Sequence, residues 1–321
     1  MGKSDVVLYN FLEDRERFAD LYNGGWFGGQ RIILPGELRE LDGRYVDFPA
    51  QAKGNKAESK SRMRGRDIKK LYRDQAVLRI LAVENQMEVD YTMPWRCMNY
   101  DAREYERQIR KLRKKNEESG DLRPGAEFLC GLKKEDRLIP VYTLCVYYGE
   151  DPWDGPRSLG DMMARDQTPS AWDRWFKDYP FHLICANEWT QKDVFRTSLK
   201  EVFDALPCRG DKERLRKVLR ENPAYQKLDE DTFQTLAVLL GEKTMVPKKN
   251  EAEEGWNMCK ALEDIRQEGI DIGIEKGMEK GMEKGVEQIV RNMLQKGLTD
   301  ENIIALTECS QQTLEKVRSS I

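Results

Sequence analysis

Imidazole and thiol groups are scarce in this chain. Its 321 residues hold one histidine, His182, and seven cysteines at 97, 130, 145, 185, 208, 259 and 309, with no CxxC pair among them. This scarcity and spacing argue against structural zinc, a disulfide framework and Ser/His or Cys/His catalysis. Long apolar runs are missing too. No stretch approaches the roughly 18 residues that span a bilayer, and MGKSDVVLYNF opens without the apolar core of a secretory signal. A soluble, cytoplasmic protein with no membrane partner is the expectation. Nor is there a strong excess of either charge: 54 Lys and Arg stand against 57 Asp and Glu, a formal net charge of -3. Any electrostatic footprint must therefore be local. The 39% hydrophobic content suffices for at least one core, and the length suggests about two domains.

Apolar residues at 7, 11, 18 and 21 fall at mostly helical spacing and predict a first helix over 6–23, with Gly24 and Gly25 as its stop. GRYVDF at 43–48 and residues 61–68 read as two hairpin arms, with Gly54 and Asn55 marking the bend. AVLRILAV at 76–83 is a short β-rich apolar run bounded by polar residues, the pattern of a buried central strand. Pro94 suits the first turn of a long helix ending near Gly120. LIPVYTLCVYY at 138–148 reads as a second strand that Pro140 leads into. From about 180 onward helical spacing dominates, with two or three helices before a polar linker at 243–254. Beyond it Gly269, Gly273, Gly277, Gly281 and Gly285 recur every four residues, close to one helical turn, as a small-residue stripe. Two short capped helices follow, starting at Thr299 and Ser310.

Glu84, Asn85 and Gln86 directly follow the central strand. If the strand continues through them, its period of two puts Glu84 and Gln86 on one face. Asp67 stands seventeen residues earlier, at the end of the hairpin. An Asp and a Glu on adjacent strands suit Mg²⁺, which takes one or two carboxylates and keeps several waters for phosphate oxygens to replace. Metal-assisted phosphodiester hydrolysis would follow, the ion polarising the phosphate and activating a water. By spacing alone the same residues also read as solvated carboxylates at a strand end.

The strings FADLYNG (18–24), Arg66-Asp67-Ile68, LAVENQ (81–86), MPWRCMNYDAREYERQIR (93–110), PVYTLCVYYG (140–149), PWDGPRSLGDM (152–162) and the GMEKGMEKG tract together resemble the recombination-promoting nuclease family. This transposase-like group belongs to the PD-(D/E)XK nuclease superfamily, and the resemblance covers nearly the whole chain. It implies an α/β fold, a PD-(D/E)XK nuclease-like mixed sheet flanked by helices, followed by a mostly helical second half and a helical C-terminal tail. It also implies a Mg²⁺-dependent bacterial DNA endonuclease that promotes recombination. Carried over by position, Asp67 matches the first metal-binding acid, Glu84 and Gln86 match the (D/E)XK element, and Asp20 on the first helix stands as an additional acid. Two residues depart from the motif: Arg66 replaces the proline before Asp67, and Gln86 replaces the lysine. Glutamine occurs at that place in other members, so catalysis is compatible with it. The two departures also keep open a catalytically degenerate nuclease fold acting as a DNA-binding or assembly protein.

The basic residues are clustered. Residues 51–73 carry nine Lys or Arg against two acids, including Lys53, Lys56, Lys60, Arg62, Arg64 and Arg66, the candidate contacts to double-stranded DNA. Residues 103–115 add seven basic against two acidic. Residues 250–321 carry fifteen acidic and nine basic residues, which favours self-association of a homo-oligomer over phosphate binding. The expected organisation is a nuclease-like core at 1–165, a helical region at 166–245, and a linker, glycine helix and tail module at 246–321. Tyr100 and Tyr105, with Arg96 and Gln108, lie on the helix after the site as candidates to support it or contact DNA, although core packing is the favoured reading of the aromatics. The tryptophans at 153, 172, 175 and 189 and His182 read as packing residues.

Overall fold

The structure, a computed structural model, describes residues 3–41, 44–46, 63–65, 67–164, 171–191, 193–241 and 255–320. It divides into two compact units, Met1–Met258 and Cys259–Ile321. Among the described residues no helix is long and apolar enough to cross a membrane. All seven cysteines are free.

The first unit opens with two helices where the sequence suggested one, α1 (Lys3–Glu13) and α2 (Arg15–Phe27). The break falls at Asp14, whose side chain accepts from the Arg17 N–H and caps α2. Gly24 and Gly25, expected as a stop, lie inside α2, which ends instead at Gly28 in the left-handed conformation. Packing explains them: a Cβ at Gly24 would lie 2.3 Å from the Phe195 ring, and one at Gly25 2.3 Å from Ile184 Cδ1.

Strands β1 (Leu38–Glu40), β2 (Arg44–Val46), β3 (Met63–Gly65), β4 (Ile68–Asp74) and β5 (Val77–Gln86) follow. The hairpin arms form as β2 and β3, paired antiparallel with Val46 opposite Met63; the bend at Gly54 and Asn55 lies outside the described residues. The second arm does not reach Ile68. That residue begins β4, which enters a different sheet. After β5 come α3 (Met93–Ser119), α4 (Ala126–Cys130) and β6 (Val141–Tyr147). Next is β7 (Leu183–Cys185), a short strand inside the region expected to be helical. Then α5 (Leu199–Ala205), α6 (Lys212–Glu221) and α7 (Glu230–Leu239) complete the mostly helical second half, which belongs to the same unit as the sheet. Arg17 joins α2 to it, donating to Asp229 Oδ1 at 2.6 Å and to Ser198 Oγ.

The main sheet is mixed, five-stranded and ordered β1-β4-β5-β6-β7. β1, β4 and β5 are antiparallel neighbours, while β5, β6 and β7 run parallel. α3 supplies the crossover from β5 to β6 that a parallel pair requires. Two adjacent lysines on β4 show how the faces are covered. Lys69 Nζ donates to Glu104 Oε2 of α3 at 2.8 Å. Lys70 Nζ donates to Glu40 Oε1 at 2.7 Å and to the Glu13 carbonyl of α1, and lies over the Phe18 ring of α2. Successive strand residues point to opposite faces, so α3 covers one face and the α1–α2 pair the other. Tyr22 clamps the second face by donating to the backbone carbonyls of Ala82 and Tyr142.

Several residues expected to pack do so: Tyr100 and Trp153 are buried, and the Tyr105 hydroxyl accepts from the Val141 N–H. Others do not. Trp172 and Trp175 are largely exposed, and His182 lies exposed with its ring against Trp26.

The second unit contains α8 (Met258–Gln295) from Cys259 onward, α9 (Asp300–Thr307) and α10 (Gln311–Arg318). A small core of Val290, Ile303, Cys309, Leu314 and Val317 holds the three together. The helix runs unbroken through all five repeat glycines, and around each the space a side chain would take is open.

Lys69 and Glu104 are both almost completely buried, and Arg107 adds a second bond to Glu104 at 2.7 Å. Removing one member of such a pair strands the other charge. Lys69→Met should therefore lower stability by about 3 kcal/mol in urea denaturation, and Lys69→Met with Glu104→Leu should recover most of that loss. A double variant no more stable than the single one would contradict the pairing.

Candidate active site

The antiparallel register of β4 on β5 sets Ile68 opposite Val83 and Lys69 opposite Ala82. Asp67, at the bend just before β4, accepts from the Asn85 N–H, which holds it beside the strand at Glu84. β5 does continue through Gln86, so Glu84 and Gln86 share a face. It is the face that Lys69 shares, covered by α3. Asp67, Glu84 and Gln86 are thus gathered at one end of the sheet, beneath the start of α3.

Glu84 is buried, 1% exposed, and its Oε2 lies 3.9 Å from Arg96 Nη2 on the first turn of α3. Arg96 Nη1 donates to Asp90 Oδ2 at 2.6 Å. Asp90 also accepts from the Thr92 N–H and hydroxyl. Burial works against its charge, but the bonds from Thr92 and Arg96 prevail and hold its carboxyl below the usual range. Asp90 thereby fixes the Arg96 guanidinium beside Glu84.

Asp67 Oδ2 accepts from the Asn85 N–H at 2.7 Å, tying the bend to β5. Burial raises its pKa above the ordinary 3.8, and the charge of Asp5 on α1 adds to the rise; the Asn85 bond and Arg96 oppose it. A cation there would offset the burial of Asp67 and its repulsion by Asp5. The donors are hard oxygens of the kind Mg²⁺ takes. Among the described residues no group of three His, Cys, Asp or Glu is arranged to hold a metal ion.

The other candidate residues fall elsewhere. Asp20 is buried, and its Oδ2 accepts from the Arg196 N–H, the Thr197 N–H and the Thr197 hydroxyl, each at 2.7 Å. It secures the segment entering α5; the first-helix acid whose charge acts on Asp67 is Asp5. Lys53, Lys56, Lys60, Arg62 and Arg66 lie outside the described residues, and Arg64 belongs to β3 opposite Tyr45. Within the same basic stretch, Lys69 and Lys70 are buried in ion pairs and contribute nothing to a phosphate-binding surface. Asp5 gave no sequence signal, being one acid on an amphipathic helix. The Asp90-x-Thr92 pattern ahead of α3 was a readable helix-start signal, and the arginine it holds is the consequence.

Burial gives Asp67 a testable signature. Its folded pKa is raised, so between 3.8 and that higher value the folded chain holds a proton the unfolded chain has released, and stability falls as pH rises through the interval. Asp67→Asn removes the ionisation and can still accept from Asn85. In metal-free buffer it should melt above the parent at pH 7, with the gain shrinking as pH falls toward 3.8. A variant less stable than the parent at pH 7 would show that the carboxylate is favourably solvated.

Comparison of this chain with protein-family models, curated proteins and solved structures finds no match in any of the three.

Proposed function

We propose that this chain is a Mg²⁺-dependent endonuclease that hydrolyses phosphodiester bonds of double-stranded DNA. The observation that carries the reading is the hydrogen bond from the Asn85 N–H to Asp67 beside Glu84, with Gln86 two residues on along the Glu84 face. The mixed sheet flanked by helices agrees with the fold implied by the resemblance to recombination-promoting nucleases of the PD-(D/E)XK superfamily. Asp67 and Glu84 would hold the ion. When bound, Mg²⁺ would polarise the phosphate and lower the pKa of a water. Gln86 can hydrogen-bond that water or a phosphate oxygen but brings no charge. The basic residues from Lys53 to Arg66 are the proposed contacts to the duplex backbone. Glutamine at 86 also favours a second reading, a degenerate fold that binds DNA without cutting it.

Plasmid incubated with the purified protein in Mg²⁺, with EDTA as control, separates the two. The parent should nick or linearise it. Asp67→Asn and Glu84→Gln should each reduce cleavage at least about 100-fold, since losing the ion forfeits several kcal/mol of transition-state stabilisation. Both should still bind DNA. Unimpaired cleavage by the double variant would place the chemistry elsewhere, and binding without cleavage by the parent would favour the degenerate fold.

The long tail helix joins this reading as a self-association surface. Ile270, Ile274, Met278 and Met282 are exposed along α8, each directly following a repeat glycine. Glycines in a helix cost about 1 kcal/mol each relative to alanine, a cost that close packing against a second copy would offset. Ile270→Glu with Ile274→Glu and Met278→Glu in the full chain should reduce the mass in sedimentation to that of one chain. A parent that already sediments as one chain would refute the assembly.

A further inference from the structure

The (D/E)XK element normally ends in a cation, and here position 86 carries an uncharged amide. The structure places a different cation beside the acids. Arg96 Nη2 lies 3.9 Å from Glu84 Oε2, while Asp90 holds Nη1 at 2.6 Å. A guanidinium has five N–H donors. Asp90 engages one, Glu84 faces a second and Tyr100 takes part in a third contact, which still leaves donors for a further anion. Access is open: Arg96 lines a cleft of about 380 Å³ along α3, with Thr92, Trp95, Asn99 and Arg103 in its walls. Trp95 is 40% exposed there. The guanidinium therefore stands between the buried Glu84 and a solvent-reached groove.

We propose that Arg96 binds the nonbridging oxygens of the phosphodiester that Asp67 and Glu84 present for hydrolysis, supplying the positive charge that Gln86 cannot. The proposal rests on the hydrolase reading above. In the reaction a water oxygen forms a new bond to phosphorus as the bond from phosphorus to the leaving sugar oxygen breaks. The proton released by the water is balanced by the one the leaving oxygen acquires through solvent. Arg96 exchanges no proton. Its hydrogen bonds strengthen as negative charge grows on the phosphoryl oxygens, and its planar fork suits two of them at once. Asp90 acts through Arg96 as a positioning residue. The alternative is that Arg96 serves only to keep Glu84 and Asp67 ionised.

Two readouts test this on the full chain. The first is binding of a short DNA duplex in EDTA over a series of KCl concentrations. Arg96→Gln should weaken binding and lower the salt slope by about 0.9, the loss of one phosphate contact. The second is Mg²⁺-dependent cleavage. Arg96→Gln should lower kcat by about 10²–10³-fold, and adding Gln86→Lys to it should restore at least about tenfold by returning a cation to the same phosphate. An unchanged salt slope, or a double variant as slow as Arg96→Gln, overturns the proposal. A shifted pH profile with an unchanged slope would assign Arg96 to charge balance alone. If the parent cleaves and Arg96→Gln cleaves equally well, the hydrolase reading stands and this inference falls. If the parent binds but does not cleave, the hydrolase reading fails and the salt slope alone decides for Arg96. A parent that does neither removes both. Should Arg96→Gln fail to fold, Arg96→Lys carries the test. It keeps the charge beside Asp90 and Glu84, should retain the slope, and should lose about tenfold in kcat because a single ammonium replaces the fork; an unchanged kcat overturns the proposal.

Discussion

The pairing of β4 with β5 is the constraint from which the rest of the molecule follows. Its register aligns Ile68 with Val83 along seven consecutive pairs, and a slip of one residue would turn every side chain of β4 to the other face. Lys69 would then lose Glu104, Lys70 would lose Glu40, and Asp67 would leave the side of the sheet on which Glu84 lies. The same alignment therefore fixes how α3 docks, how α1 and α2 dock, and which carboxylates meet. Stability and the candidate chemistry depend on a single geometric choice.

Buried charge enforces that choice. Two lysines in succession on an inner strand are tolerable only because each finds an oxygen partner on its own face: Glu104 on one side, Glu40 and the Glu13 carbonyl on the other. An uncompensated charge at either position would cost several kcal/mol, so misregistered pairings are disfavoured strongly. The same logic operates at the site with the opposite outcome. Asp67 is half-buried against its charge and repelled by Asp5, and Arg96 opposes this only in part. Where the scaffold pairs its charges closely, the end of the sheet leaves the Asp67 carboxyl raised, and Asp90 holds Arg96 facing Glu84.

The strand and helix boundaries that rest on strong local signals were legible. The apolar run at 76–83, the proline and glycine bracketing α3, and the entry to β6 after Pro140 all correspond to observed elements. β4 was not legible as a strand of its own, because IKKLYRD has no period-two apolar pattern once Lys69 and Lys70 count as solvent-facing. β7 was hidden for another reason: three residues are too few to register against the surrounding spacing. Gly24 and Gly25 misled because glycine after a helical pattern ordinarily ends it, whereas these two make room for Phe195 and Ile184, partners far along the chain.

Glu84 and Gln86 could be placed on one face from the chain alone, since alternation along a strand is a local property. The seven cysteines without a CxxC pair and the single histidine likewise narrowed the possible chemistry without any fold in view. Asp67 bonded to the Asn85 N–H beside Glu84, Asp5 acting on Asp67, Arg96 beside Glu84 and Asp20 committed to the segment before α5 were decided only in three dimensions. Each of these relations joins residues distant in the chain, and their distances depend on register and on helix docking, which composition and periodicity do not encode.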